Sequence, residues 1–179
     1  MNYLILVNRQ HALPEGWTAG ELVPVLPGCP GVLLEAEAAR QLNLLMDELD
    51  GWQSIVPVSG WRSMEEQTDL YFQSLEENGQ AFTEKYVAFP GCSEHQTGLA
   101  IDLGLRQPEV DFIRPAFPDE GVCHAFRQRA AAYGFIERYP AGKESVTGIA
   151  HEPWHFRYVG VPQAEEIAGR GLTLEEYLS

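Results

Sequence analysis

Gly148-Ile149-Ala150-His151-Glu152-Pro153-Trp154-His155-Phe156-Arg157-Tyr158-Val159 contains an H-E-x-x-H between His151 and His155, and the architecture depends on whether it is helix or strand. On a helix, imidazoles four residues apart stack one turn above another and converge on a single metal ion. Pro153 stands inside that turn, where it removes a backbone donor and biases Glu152 away from helical dihedral angles. The continuation from Trp154 to Val159 is aromatic and β-prone. The stretch is therefore read as a loop that turns at Pro153 into a strand from Trp154. Glu152 then stands in the loop, and His155 projects from the start of the strand.

A second segment, Ser93-Glu94-His95-Gln96-Thr97-Gly98-Leu99-Ala100-Ile101-Asp102, has the complementary content. Asp102 falls inside an otherwise apolar strand, Leu99 to Leu105, where an ionised carboxylate is costly unless paired or bound to a metal. His95 precedes it in a loop, and Gly98 lets the chain turn between them. Two imidazoles and one carboxylate suit tetrahedral zinc with a fourth position open for catalysis, although other transition ions accept the same donors. Taken singly, each residue also fits a buried Asp102 bonded to backbone amides, with His95 and His155 independent of it. The joint pattern favours the metal. His151 is not expected to be a ligand.

Around these segments the chain reads as one α+β domain spanning residues 1–179. Its 179 residues are 45% hydrophobic, enough for a sizeable core. The 26 Asp+Glu against 12 Lys+Arg give a formal net charge of −14, which disfavours nucleic acid and anionic membrane surfaces as partners. Helices are predicted over Glu35 to Leu49, with Ala38, Leu42, Leu45, Met46 and Leu49 on one face, and over Ser63 to Asn78. The second opens on a Ser63/Glu66 capping box, carries Leu70, Tyr71 and Leu75 as its apolar stripe, and stops at Gly79. Two more are predicted over Glu120 to Tyr133 and Gln163 to Leu178, the last interrupted near Gly169 to Gly171. Strands are predicted over Tyr3 to Val7, Ile55 to Val58, Leu99 to Leu105, Gly134 to Tyr139 and Trp154 to Val159. The expected architecture is a small mixed or antiparallel sheet flanked by helices, with the metal site at the sheet edge. Residues 24–31 read as a stiff loop, and residues 80–90 as a cap over the cleft. The amino terminus reads as a strand rather than a signal peptide, and no apolar run approaches the roughly 18 residues that cross a bilayer. Cys29, Cys92 and Cys123 lack disulfide or zinc-knuckle spacing, so three reduced thiols and a cytoplasmic location are expected.

The pattern S-x-H-x-x-G-x-A-x-D over Ser93 to Asp102, followed by E-P-W-H-F-R-Y-V-G over Glu152 to Gly160, resembles the M15 family of zinc D,D-peptidases. This is the VanX, VanY and VanXY type involved in vancomycin resistance. Ser59-Gly60-Trp61-Arg62-Ser63, Tyr133-Gly134-Phe135 and Thr173-Leu174-Glu175-Glu176-Tyr177 extend the likeness over most of the chain from about Ile55 onward. The resemblance implies one Zn2+ per chain held by His95, Asp102 and His155. It implies Glu152 as the general base and Arg62 as the cation that stabilises the developing oxyanion. Ser93 would bind the substrate's terminal carboxylate or cap its loop, and Gln67 would orient the substrate or lie on the surface. His151 would line the cleft or modulate Glu152.

The implied substrate is a small peptide ending in D-Ala-D-Ala. It is either the pentapeptide of a peptidoglycan precursor, cut by a carboxypeptidase, or the free dipeptide, cut by a dipeptidase. A free dipeptide brings its ammonium close to the cleaved bond and benefits from a carboxylate placed to receive it. Bifunctional members of the family can have an acid at the position of Ser59. Serine at this substrate-binding position points to carboxypeptidase action on the longer substrate. The competing readings are a cell-wall endopeptidase of the same fold and a non-catalytic, metal-containing binding module. Retention of both Glu152 and Arg62 favours an enzyme.

Overall fold

The computed structural model describes residues 2–179. Strands β1 (Leu22–Pro24) and β2 (Leu33–Glu35) form an antiparallel pair that leads into helix α1 (Ala36–Leu49). Strand β3 (Ile55–Ser59), helices α2 (Met64–Asn78) and α3 (Gln80–Tyr86), a 3-10 turn (Glu94–Thr97) and strand β4 (Ala100–Leu105) follow. The chain continues through α4 (Gly121–Arg129), β5 (Phe135–Tyr139), α5 (Glu144–Thr147), β6 (Glu152–Tyr158), α6 (Val161–Arg170) and α7 (Leu174–Tyr177). The main sheet has the order β3-β4-β6-β5, and every ladder in it is antiparallel.

Helix α1 forms as its periodicity requires. Ala38, Leu42, Leu45 and Met46 are buried completely against Ile101, Leu103, Phe126 and Phe156 in the main core. Glu35, the last residue of β2, caps the helix by accepting from the backbone N–H groups of Glu37 and Ala38, each at 3.1 Å. In α2 both halves of the capping box are present: Ser63 Oγ accepts from Glu66 N at 3.1 Å, and Glu66 Oε2 accepts from Ser63 N at 2.8 Å. The fourth predicted helix is broken where expected. Gly171 adopts φ 63° between α6 and α7. Gly134 ends the third at φ 84°, and a Cβ there would lie 2.5 Å from the Tyr158 ring. Any side chain at that position is thus both strained and obstructed.

Five expectations are corrected. Tyr3 to Val7 joins no ladder. Its alternate residues pack on two different core clusters, as a strand's would, but Arg157 Nη2 takes the carbonyls of Tyr3 and Ile5 at 3.0 and 2.8 Å. A cation replaces the partner strand. The stiff loop at 24–31 is bordered by β1 and β2. Residues 80–86 are helical rather than loop, and Tyr86, Val87 and Ala88 do form one wall of the cleft. The buried line of α2 is Gln67 and Ser74, with Phe72 58% exposed, because this helix packs through polar contacts. Ser74 Oγ lies 2.8 Å from Thr83 Oγ1, and Gln67 Nε2 donates to Ala88 O at 2.7 Å. Finally, β6 begins at Glu152, two residues earlier than predicted. The register shift opposite, between Glu137 and Tyr139, leaves a place where Pro153 without its N–H is tolerated.

Candidate metal centre and active-site cleft

Three residues lie side by side across the sheet. Ser59 of β3 pairs with Asp102 of β4, and Asp102 pairs with His155 of β6. Directly opposed residues share a sheet face, so their side chains point the same way. Ile101 and Leu103 flank Asp102 in sequence and point the other way, into the core under α1. The site thus rests on the two inner strands, with the end of edge strand β3 as its border. His95 reaches it from the 3-10 turn, which Gly98 terminates in a left-handed conformation at φ 75°.

The His95, Asp102 and His155 donor atoms all lie within 4.8 Å of one another, and all three residues are buried. His95 Nε2 is 3.1 Å from Asp102 Oδ2, and His155 Nδ1 is 2.9 Å from Asp102 Oδ1. His95 Nδ1 donates to Gly60 O at 2.8 Å, which leaves Nε2 as the free lone pair. Two nitrogens and one oxygen converging from separate elements form a donor set for zinc, with room for a fourth ligand from the cleft.

Burial weighs against charge on all three ligands. His95 is pushed down to about 4, mainly by desolvation and the nearby Arg62 cation. His155 goes the other way, to about 9, because its hydrogen bonds to Asp102 and Glu94 outweigh desolvation. Asp102 is held below the ordinary carboxylate range, its burial being outweighed by the two histidines.

Glu152 is buried in the same cleft, with Oε2 4.0 Å from His155 Nδ1. Burial, reinforced by Asp102, pushes its carboxyl up to about 8 against the opposing pull of His155 and Arg62. A cation held by the triad would draw this carboxyl back towards the ionised form that a general base needs. Arg62 also lines the cleft. Desolvation lowers its pKa while Asp102 and Glu152 oppose that shift, and its Nε is buried with no partner among the described residues. An unpartnered guanidinium nitrogen beside an open coordination position suits an oxygen of a bound substrate.

Of the remaining expected contacts, Ser93 and Ser59 line the cleft and are buried. Gln67 does not line it. Its amide instead ties α2 to Ala88, a residue of the cleft wall. His151 turns to Glu137 Oε1 at 3.1 Å and is not among the residues that line the cleft. The aromatic wall is made by Tyr86, Phe112, Tyr139 and Trp154.

Sequence reasoning missed Glu94. Its carboxylate is fully buried, accepts from Arg138 Nε at 2.7 Å and Arg157 Nη1 at 2.6 Å, and presents Oε2 to His155 Nε2 at 3.4 Å. The two guanidinium cations outweigh the cost of burial and keep it ionised. A signal was present in Arg138 and Arg157, each inside an aromatic strand segment, since two buried cations require a buried acid.

A family model described as VanY, D-alanyl-D-alanine carboxypeptidase, matches residues 31–161. The chain is 45% identical over 178 residues to the bifunctional D-Ala-D-Ala dipeptidase and D-Ala-D-Ala carboxypeptidase VanXYC of Enterococcus gallinarum, covering 99% of this chain and 94% of that relative. Its fold superposes with a TM-score of 0.96 and 51% identity on the vancomycin resistance D,D-dipeptidase VanXYg in complex with a D-Ala-D-Ala phosphinate analog, over 99% of this chain and 70% of that one. A mutant of the vancomycin resistance D,D-pentapeptidase VanY from a VanB-type cassette, in complex with Zn(II), matches with a TM-score of 0.85 and 33% identity over 100% of both chains.

Proposed function

We propose, from the premise that the chain belongs to the VanY family of D-alanyl-D-alanine carboxypeptidases, that it is a zinc-dependent D,D-peptidase of the vancomycin-resistance type. Its reaction is hydrolysis of the terminal D-Ala-D-Ala bond of a peptidoglycan precursor pentapeptide. The observation that carries this reading is the convergence of His95, Asp102 and His155 beside a buried Glu152 and an unpartnered Arg62 nitrogen in one cleft.

When held by the triad, zinc supplies a Lewis acid that polarises the scissile carbonyl and makes water a nucleophile near neutral pH. Glu152 takes the proton of the attacking water and returns it to the amine nitrogen of the departing D-Ala. Arg62 faces the oxygen on which negative charge develops, in a dry cleft where a fixed cation acts far more strongly than on a surface. Ser93 Oγ donates to the terminal carboxylate. Gln67 acts at one remove, by holding the wall formed by Ala88.

Substrate length follows from charge. The acids lining the cleft are Glu94, Asp102 and Glu152, and each is engaged: with two arginines, with two histidines, and as the base. Ser59 adds a neutral hydroxyl at the border of the site. A free dipeptide's ammonium therefore finds no acid reserved for it, whereas a longer peptide carries a neutral amide there. This supports carboxypeptidase action as the main activity and dipeptidase action as the lesser one. D-Ala release from the pentapeptide is expected to exceed release from the free dipeptide in kcat/KM. A preference for the dipeptide would reverse the assignment, cleavage of an internal bond would indicate an endopeptidase, and turnover of none would indicate a binding module.

We place this activity in the cytoplasm. Three unpaired thiols, Cys29, Cys92 and Cys123, suit a reducing compartment, and among the described residues no helix is long and apolar enough to cross a membrane. Fractionation of cells expressing the protein tests the placement; activity in the wall fraction would contradict it.

A further inference from the structure

The His155 ring is held between two carboxylates. On one side Nδ1 faces Asp102 Oδ1 at 2.9 Å; on the other Nε2 faces Glu94 Oε2 at 3.4 Å. Its faces are confined as well, by the His95 ring at 4.9 Å and 81° and the Tyr139 ring at 4.9 Å and 37°. Glu94 is itself immobilised. Its other oxygen accepts from Arg138 and Arg157, and each arginine has a second anchor. Arg138 grips Glu175 of α7 through two bonds at 2.9 and 2.6 Å, and Arg157 holds the carbonyls of Tyr3 and Ile5. The carboxylate facing Nε2 is thus fixed by elements from both ends of the chain, with no solvent exposure of its own.

A carboxylate accepts hydrogen bonds and cannot donate them, so the atom facing it must carry hydrogen. Both ring nitrogens of His155 face carboxylates, Nδ1 at 2.9 Å and Nε2 at 3.4 Å, so both hold hydrogen without a metal. A cation shared by Asp102 and Nδ1 would take the lone pair of Nδ1, and the Glu94 acceptor then keeps the remaining hydrogen on Nε2. We propose that Glu94 is a positioning residue for the metal centre: anchored by Arg138 and Arg157, it fixes the tautomer and orientation in which His155 presents Nδ1 as a ligand. The inference rests on the reading that the triad binds zinc. It assigns a purpose to a fully buried acid at the cleft and to two arginines behind it. It also explains why one oxygen of Glu94 is left for His155 when two buried cations are available to it.

Glu94→Gln tests this with the fold kept as intact as a single change allows. The two arginines orient the amide, since only its oxygen can accept from them, and this turns the NH2 group towards His155 Nε2. A donor there favours hydrogen on Nδ1, the atom the metal needs. Zinc affinity measured by competition with a chromophoric chelator is expected to fall about 10- to 100-fold, the range typical for loss of an outer partner of a metal-bound histidine. A second measurement does not depend on the variant folding. In wild-type protein labelled with 15N in its histidines and loaded with cadmium-113, His155 Nε2 is expected to bear a hydrogen in slow exchange, and Nδ1 to show the metal coupling. Wild-type zinc affinity in Glu94→Gln, or metal coupling at Nε2, would overturn the role of Glu94 alone. Absence of zinc binding in both forms would overturn the functional reading and this inference with it.

Discussion

Strands β4 and β6 have two dry faces that work by opposite physics. On one, Ile101, Leu103 and Phe156 pack against α1 and α4 in a cluster free of charge. On the other, Asp102, His155 and Arg157 project among Glu94, His95 and Arg138. The first face stabilises the fold by burying apolar surface, a contribution that depends little on pH. The second places charges where water cannot solvate them, a cost that their mutual pairing offsets at best in part. Neighbouring residues such as Ile101 and Asp102 therefore carry different duties, one to the fold and one to the proposed chemistry. The charged face can be tolerated because the apolar one secures the strands beneath it.

The largest effect is expected on the charged face. Glu152→Gln should lower kcat for D-Ala release by about 10²- to 10⁴-fold, the usual contribution of a general base, while zinc content stays near one per chain. Retained turnover in the zinc-loaded variant would separate Glu152 from the reaction. On the apolar face, Ile101→Ala should cost roughly 2–4 kcal/mol in urea unfolding and leave the zinc affinity and KM of the folded fraction unchanged. If zinc affinity fell in step with stability, the two faces would not be separable. At the border between them, Ser59→Asp should raise the ratio of dipeptide to pentapeptide kcat/KM about 10- to 100-fold, because a charge-assisted bond to the ammonium contributes on the order of 1.5–3 kcal/mol. An unchanged ratio would remove charge as the basis of substrate length.

The smallest effect is a proton count. In the metal-free site His155 is raised to about 9, so at pH 7 both of its ring nitrogens carry hydrogen. A metal ion needs one of those lone pairs, and zinc binding at pH 7 should release about one proton from His155. Calorimetry in buffers of different ionisation enthalpy reads that number. The release should vanish as pH rises above the raised value, because the ring is then already neutral. A release that is zero at pH 7 would mean that His155 is not a ligand.

Much of this division was legible in the sequence. Asp102 stood out because an acid in Leu99 to Leu105 contradicts its apolar neighbours, and Pro153 showed that His151 and His155 could not share a helix face. The face of α1 could be read because its apolar residues recur at helical spacing and its acids do not interrupt them. What could not be read depended on partners far away in the chain. Tyr3 to Val7 alternates like a strand, but its carbonyls are taken by an arginine some 150 residues later, a competition invisible to local pattern. Helix α3 is a short QAFTEKY run with too few turns to show a period. Glu94 resembles any solvated loop acid until Arg138 and Arg157 are seen to converge on it. Gln67 was expected either to orient the substrate or to lie on the surface, whereas the approach of Ala88 in space, unseen in the sequence, draws its amide to the cleft wall.

On the proposed reading this chain releases D-Ala through a metal held by His95, Asp102 and His155. Its most direct test is D-Ala release from a pentapeptide ending in D-Ala-D-Ala, measured before chelation, after the metal has been stripped, and after addition of one equivalent of zinc. The expected result is activity that disappears on stripping and returns with zinc, with the far-UV circular dichroism unchanged throughout because the apolar core holds strands β4 and β6 without help from the metal. Activity that survives complete removal of the metal would contradict that reading.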